Sequence, residues 1–204
     1  LNLYAISQKQ SLALINEFDE AQTLKIRYNI SERLGKLLAN SNPVEAIEYL
    51  PDAISNAQSV GDSPREIELL AYLANCCRNT GNYFGEVECV DTVLKKIGVD
   101  DKLEVALMKT TKLNALLSIG NCGQIINMID NEIMPELDKF LNQKTVTKSY
   151  ELGFIYEVWL KTYLVLANAL VMQGNDRSFE ILTILFDIIE RNNIQDNLFI
   201  CKCK

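Results

Sequence analysis

The sequence of 204 residues contains no histidine, one tryptophan and four prolines, and its uninterrupted apolar runs are only a few residues long. Without histidine, the chain cannot assemble a Ser-His-Asp or Cys-His catalytic group from its own residues. A helix that crosses a bilayer needs about 20 predominantly apolar residues, and no segment supplies them. Gly81-Asn82-Tyr83-Phe84-Gly85 lacks the strand and the lysine of a phosphate-binding loop. These absences predict a chain that is not an enzyme, has no evident small-molecule substrate and spans no membrane.

Basic charge is also scarce. Twenty Lys and Arg residues stand against 27 Asp and Glu residues, which gives a formal net charge of -7. Binding to nucleic acid needs a clustered positive surface, and attraction to an anionic membrane needs one as well. The charge balance therefore predicts neither a nucleic acid nor a membrane as partner.

The six cysteines are scattered, and four of them lie in apolar helical patterns, where a free thiol behaves as a small hydrophobic side chain. A secreted disulfide scaffold would be shorter and richer in cysteine. Neither Cys76-Cys77 nor Cys201-x-Cys203 has the paired spacing of a zinc site, so we expect no metal and no other cofactor. The first residues do not resemble a signal peptide. We expect an intracellular protein, cytoplasmic or nuclear.

Apolar residues recur at spacings of three and four along nearly the whole chain, which predicts helices and no sheet. Pro43 and Pro64 each follow a capping-type residue, Asn42 and Ser63, and are expected in the first turn of a helix. Two further prolines, Pro51 and Pro135, fall inside helical patterns and are expected to kink or break those helices.

Four glycine turns then divide the chain: Gly61-Asp62, Gly81-Asn82, Gly120-Asn121 and Gly174-Asn175. Each ends an apolar periodic run, as a glycine C-cap does. Nine helices joined by short turns should pack antiparallel to their neighbours. The predicted helices are 1–18, 22–39, 43–60, 64–80, 83–97, 101–119, 122–142, 147–173 and 176–192.

The turns also mark a repeat. Leu73-Ala74-Asn75 and Leu166-Ala167-Asn168 are each followed by five residues and then Gly-Asn, and Asn114 stands at the same distance before Gly120-Asn121. Chance in a chain rich in Leu and Asn is the alternative explanation. Three copies in one register, each ending a helix, favour a true repeat of helix pairs.

These residues resemble the tetratricopeptide repeat, a helix pair in which a large residue, Leu with a small residue, a second large residue and a Gly-Asp or Gly-Asn turn follow in order. The matching residues are Leu70, Leu73-Ala74, Cys77, Gly81-Asn82 and Tyr83; Tyr163, Leu166-Ala167, Leu170 and Gly174-Asn175; and, in a degenerate copy, Leu34-Gly35, Leu38, Ala46, Leu50 and Ala53. The resemblance covers residues 20–192. It departs from the family at Lys109 and Leu113, which replace the large and the small residue in the copy that ends at Gly120. It departs again at Glu86 and Phe179, because each stands where the second helix of the family's pair carries a small residue.

The resemblance implies an all-α fold in which antiparallel helix pairs form an α-solenoid of about nine helices, as a single segment over residues 1–204. The chain begins at Leu1 rather than Met, and we interpret it as part of a longer protein. The implied function is a non-catalytic scaffold that holds a segment of a partner protein in its concave groove. Such long, divergent units are similar to scaffold subunits of the cohesin loader, the anaphase-promoting complex or separase-like arms.

In the family, the residue after the small position faces the groove, and an Asn there commonly bonds a peptide backbone. The resemblance therefore assigns the partner-binding groove to Asn75, Asn114 and Asn168, with Arg78, Lys161, Leu164 and Val171 on the same face. A carboxamide supplies both a donor and an acceptor for a peptide bond. The alternative is that Asn is simply tolerated on a solvated helix face.

Other functions remain open at this point. The chain could be a regulatory helical arm of a larger enzyme, for example a separase-like protease. A phosphopeptide reader similar to 14-3-3 proteins would need converging Arg and Lys residues, and no basic cluster recurs at matching positions. The carboxylate pairs Glu66 with Glu68 and Glu86 with Glu88 are interpreted as solvated charge. Trp159 and Tyr163 are interpreted as core packing.

Overall fold

The computed structural model describes residues 6, 8, 10, 20–97, 102–136 and 149–191. Within these ranges the chain forms eight α-helices and no strand, which confirms the predicted all-α fold. The predicted helix 1–18 falls almost wholly outside the described residues. The helices are α1 (Glu20–Leu38), α2 (Pro43–Ser59), α3 (Ser63–Asn79), α4 (Tyr83–Lys96), α5 (Lys102–Ser118), α6 (Cys122–Met128), α7 (Ser149–Met172) and α8 (Arg177–Arg191).

The four glycine turns share one construction. Gly61, Gly81, Gly120 and Gly174 all have positive φ, between 64° and 77°. At Gly81 the amide donates to the carbonyl of Arg78 (3.1 Å), and the next amide, of Asn82, donates to the carbonyl of Cys77 (2.8 Å). This is the Schellman motif, and it satisfies carbonyls at the end of α3. The predicted glycine C-caps are therefore confirmed.

The residue after each glycine then begins the next helix. Asn82 Oδ1 accepts a hydrogen bond from the amide of Gly85 (3.1 Å), as an N-cap does. Asp62 caps α3 through the amide of Arg65 (3.2 Å). The predicted cap Ser63 is wrong by one residue, because Ser63 is already the first residue of α3.

The prolines behave differently from one another. Pro43 and Pro64 stand in the first turns of α2 and α3, as predicted. Pro51 does not break α2, which runs uninterrupted through it. Before Pro135 the chain leaves α6 through a π-helical turn, Ile129–Ile133, and is helical again over residues 134–136. Proline has no amide hydrogen and crowds the carbonyl one turn back, which disfavours α-helical bonding at this point.

The chain divides into two compact units, residues 1–98 and 99–204. In the first unit each helix from α1 to α4 packs on the next, and α1 also contacts α3. In the second unit α7 packs against α5, α6 and α8. The single segment and the solenoid stay predictions. The largest fully buried apolar side chains are Leu34, Leu50 and Leu69 in the first unit, and Leu113, Leu116, Ile125, Ile129, Ile133, Leu166, Leu170 and Leu185 in the second.

Small residues lie where the repeat pattern requires close helix contact. Ala74, Ala167 and Leu166 are buried, as predicted, whereas Leu73 is half-buried. Gly35 on α1 faces the side chain of Leu50 on α2. Within the described residues, no helix has the length and apolar character that crossing a membrane requires.

Candidate functional site

Among its described side chains, helix α7 exposes one stripe and is mostly buried elsewhere. Of its side chains from Val158 onwards, the buried ones are Val158, Trp159, Leu160, Thr162, Val165, Leu166, Ala167, Ala169 and Leu170. Lys161, Asn168, Val171 and Met172 are exposed, and Leu164 is half-buried. Spacings of three and four residues place these five on one face of the helix. We call this surface the α7 stripe, and it contains all four groove residues that the sequence assigned to this helix.

The apolar end of the α7 stripe is open to solvent. Val171 is 57% exposed and Met172 is 60% exposed. The sulfur of Met172 lies 3.9 Å from the thiol of Cys122 at the start of α6. The stripe therefore continues toward the first turn of α6.

Asn114 lies on α5, which packs against α7 in the same unit. Its side chain is exposed, and its Nδ2 donates to the backbone carbonyl of Thr110 (3.0 Å). One of its donor hydrogens is therefore used within its own helix. Asn75 is half-buried on α3 and belongs to the other unit. A single row of three Asn residues thus stays a prediction.

Arg78, also assigned to the groove, pairs with a carboxylate of α4. Its Nε lies 2.7 Å and its guanidinium terminus 2.5 Å from Oε1 of Glu86. The guanidinium therefore spans the α3–α4 hairpin, while its side chain stays 45% exposed. A role for Arg78 in the groove stays a prediction. The sequence prediction considered the position of Arg78 on α3 but not the carboxylate that faces it.

Two carboxylates that were expected in solvent are buried. Glu66 is 3% exposed and Glu86 is 1% exposed. Glu66 accepts from Nε2 of Gln58 (2.7 Å) and pairs with Nζ of Lys96 (2.9 Å). Each glutamate is the fourth residue after a capping Asx, and each binds a side chain eight residues earlier, across the turn. The interpretation as solvated charge is therefore wrong for both.

A sequence signal for these buried glutamates exists. Glu66 precedes Leu69 and Leu70 by three and four residues, so it continues the apolar stripe of its helix.

Burial alone would raise the pKa of Glu66, but hydrogen bonds from Lys96 and Gln58 outweigh it and hold this pKa below its usual value. The carboxylate is thus ionised and held by two donors.

The face between α1 and α3 carries a network of ion pairs. Glu32 pairs with Arg65 and with Lys36 (2.9 Å), and Lys36 also reaches Glu68 at 2.7 Å. The Lys36 ammonium lies 5.9 Å from the ring centre of Tyr72. Burial alone would lower the pKa of Lys36, but its two carboxylate partners outweigh burial and hold this pKa above its usual value. The charged side chains on this face therefore pair with one another, whereas the α7 stripe exposes apolar side chains.

The π turn anchors its neighbours in the second unit. Both carboxylate oxygens of Asp130 accept from the guanidinium of Arg177 on α8, at 2.6 and 2.7 Å. On the other side, Lys109 of α5 lies 3.7 Å from Glu132 and 3.5 Å from Glu136. Paired charges therefore hold the segment around Pro135 against both α5 and α8.

The register of α8 differs from the expected one. Phe179 was placed at the small position of this helix, but it is 71% exposed. The buried small residue is Ser178. The cause lies in the turn, because Asn175 accepts from the amide of Arg177, two residues on, and not from the third. The helix is thus shifted by one residue, so that Ser178 occupies the buried small position that the sequence pattern assigned to Phe179.

The rings of Trp159 and Tyr163 lie 4.3 Å apart and are tilted by 44°. Trp159 is buried, which agrees with core packing. Among the described residues, no group of three or more His, Cys, Asp or Glu side chains gathers as a metal site requires. Cys201 and Cys203 lie outside the described part of the chain. The side chains of the α7 stripe offer apolar contact, the amide of Asn168 and the charge of Lys161.

No protein-family model matches the chain, and no curated protein or solved structure matches it either. The resemblance to tetratricopeptide repeats therefore rests on the residues quoted in the sequence analysis and stays a prediction.

Proposed function

We propose that this chain is a non-catalytic scaffold that holds a segment of a partner protein as part of a multiprotein complex. The observation that carries the proposal is the α7 stripe, an exposed face on a helix whose other side chains, from Val158 onwards, are mostly buried. The stripe combines two exposed apolar side chains, Val171 and Met172, with the carboxamide of Asn168. Apolar contact supplies binding energy, and a carboxamide can both donate to and accept from a peptide backbone.

The charges of the chain favour a protein segment over a phosphorylated one. A phosphopeptide groove needs several Arg or Lys side chains that converge on one anion. Here Arg65, Arg78, Lys96, Lys109 and Arg177 each pair with a carboxylate. Because these cations are already neutralised, a reader similar to 14-3-3 proteins is the weaker proposal.

A peptide library tests the proposal without a known partner. Random peptides displayed on phage are selected on the immobilised chain, and an enriched peptide is then measured by fluorescence anisotropy. We expect the double variant Asn168→Ala with Val171→Ala to bind this peptide several-fold more weakly, because one hydrogen bond contributes about 0.5–1.5 kcal/mol. Its thermal unfolding midpoint should stay close to that of the unmodified chain, since both side chains are exposed.

The matched control is Phe179→Ser, which removes a large apolar side chain of α8 that is 71% exposed, in the same unit. We expect this variant to bind the selected peptide as the unmodified chain does. Equal affinity of the stripe variant and the unmodified chain would count against the α7 stripe. Loss of binding in the Phe179 variant alone would move the surface to α8.

A further inference from the structure

Two buried thiols lie on the facing helices α3 and α4. Cys77 on α3 is 5% exposed and Cys89 on α4 is 8% exposed. The sulfur of Cys77 would lie only 3.1 Å from a β-carbon placed on Gly85. Cys89 follows Gly85 by four residues, and therefore stands on the same face of α4, one turn further along. The Cys77 sulfur thus lies against the strip of α4 that carries the second thiol.

The two thiols also influence each other's ionisation. Interaction with the Cys89 thiol lowers the pKa of Cys77. The same interaction, together with burial, raises the pKa of Cys89. Cys77 is therefore the sulfur that loses its proton first, and a thiolate is the reactive form of cysteine.

We propose that Cys77 and Cys89 are a modification site at which a peroxide closes a reversible disulfide between α3 and α4. The Cys77 thiolate attacks one peroxide oxygen and the O–O bond breaks. Hydroxide leaves, and Cys77 becomes a sulfenic acid. The Cys89 sulfur then attacks the Cys77 sulfur, the S–O bond breaks, and water leaves as the S–S bond forms. In total, two thiols and one hydrogen peroxide give one disulfide and two waters. A thiol reductant reverses the step.

The neighbouring cysteines have other surroundings. Cys76 also lies on α3, but its sulfur is directed toward α1 and lies 3.9 Å from the backbone carbonyl of Ala39, at the end of that helix. Cys122 belongs to the other unit, where it faces Met172. Pairing should therefore select Cys77 over Cys76, although the two are adjacent in sequence and both are buried. This inference does not depend on the proposed scaffold function.

The test is a cross-link map of the folded chain. The purified protein is treated with hydrogen peroxide, quenched with N-ethylmaleimide, digested, and analysed by tandem mass spectrometry that separates Cys76 from Cys77. We expect a Cys77–Cys89 linkage, lighter by two hydrogen atoms than the reduced pair and removed by dithiothreitol. The oxidised protein should unfold at a higher temperature than the reduced one, because the bond constrains the unfolded chain.

Two variants serve as matched controls. Cys76→Ala should keep the linkage, and Cys77→Ala should lose it while its circular dichroism stays helical. If Cys77→Ala does not fold, the map of the unmodified chain decides alone: dominance of Cys77 over Cys76 supports the site. Equal linkage through both cysteines, or oxidation of Cys77 to sulfinic acid without a linkage, would overturn the proposal.

Discussion

Gly35 of α1 lies so close to Leu50 of α2 that a β-carbon added to the glycine would stand 2.6 Å from Cδ2 and 2.8 Å from Cγ of the leucine. Leu50 is completely buried and has no solvent into which it can turn. The absence of a side chain at Gly35 therefore sets how closely the first two helices approach. This is the small position that the Leu34-Gly35 pair predicted.

The first prediction concerns this contact. In an unhindered helix, Gly→Ala stabilises a protein by up to about 1 kcal/mol. At Gly35 the added methyl group overpacks the core, which typically costs about 1–3 kcal/mol. We therefore expect Gly35→Ala to lower the free energy of unfolding, measured by urea denaturation. The control is Gly123→Ala in α6, where an added β-carbon meets nothing within 4 Å and should not destabilise the protein. A Gly35→Ala variant as stable as the unmodified chain would contradict the close contact.

The second prediction concerns acid stability through Glu66 and Lys96. The folded-state pKa of Glu66 is lower than its ordinary value of 4.5, so folding favours the ionised form. Its contribution to stability is complete above the unfolded pKa and is lost as the pH falls through the lower folded-state pKa. We expect Lys96→Met to be less stable than the unmodified chain at neutral pH, and the difference to shrink as the pH falls below 4.5.

The matched control for this pair is Lys95→Met, which removes the same charge from the neighbouring, exposed position of α4. Its effect on stability should be small at every pH. The measurement is the urea midpoint at a series of pH values. A Lys96 variant whose destabilisation does not change with pH would show that Lys96 acts through packing and not through the carboxylate.

The third prediction is a double-mutant cycle on Arg78 and Glu86. Arg78→Met leaves the buried Glu86 carboxylate without its charged donor, which should cost about 1.5–3 kcal/mol. Arg33→Met, an exposed position on α1, is the control and should have little effect. In a Glu86→Gln background the loss of Arg78 should cost less, and the difference is the coupling energy of the pair. Additive effects of the two substitutions would show that the pair is not coupled.

The helical architecture was accessible from sequence because its signals are local. Glycine with positive φ and the capping Asx that follows it act within a few residues, so the turns at Gly81 and Gly120 could be recognised directly. The resemblance to the repeat family placed Lys161, Asn168 and Val171 on one helix face, and all three are exposed on the α7 stripe. Exposed Met172 was not among the assigned residues, and a partner-binding role for this face stays a prediction.

The missed features depend on contacts between helices. The burial of Glu86 is stabilised by Arg78, which belongs to the preceding helix, so a rule that assigns charge to solvent fails there. The shift of Ser178 into the small position depends on one residue of turn geometry after Asn175. Neither the pairing of Arg78 nor this shift follows from periodicity within a single helix.

The last prediction returns to the three Asn residues and separates a binding role from a structural one. Asn114 and Asn168 are exposed and Asn75 is half-buried, so none fills the apolar core. The side-chain bond that Asn114 makes, to the carbonyl of Thr110, stays within one helix, and alanine has the higher helix propensity. We therefore expect the triple variant with Ala at these positions to unfold at nearly the same urea concentration as the unmodified chain.

The affinity of the triple variant for a peptide selected on the unmodified chain should fall. The loss should come mainly from Asn168, since this residue lies on the α7 stripe. Restoring Asn168 alone should then recover most of the affinity. Full affinity in a folded triple variant would exclude the three carboxamides from binding, and a variant that fails to fold would identify them as structural.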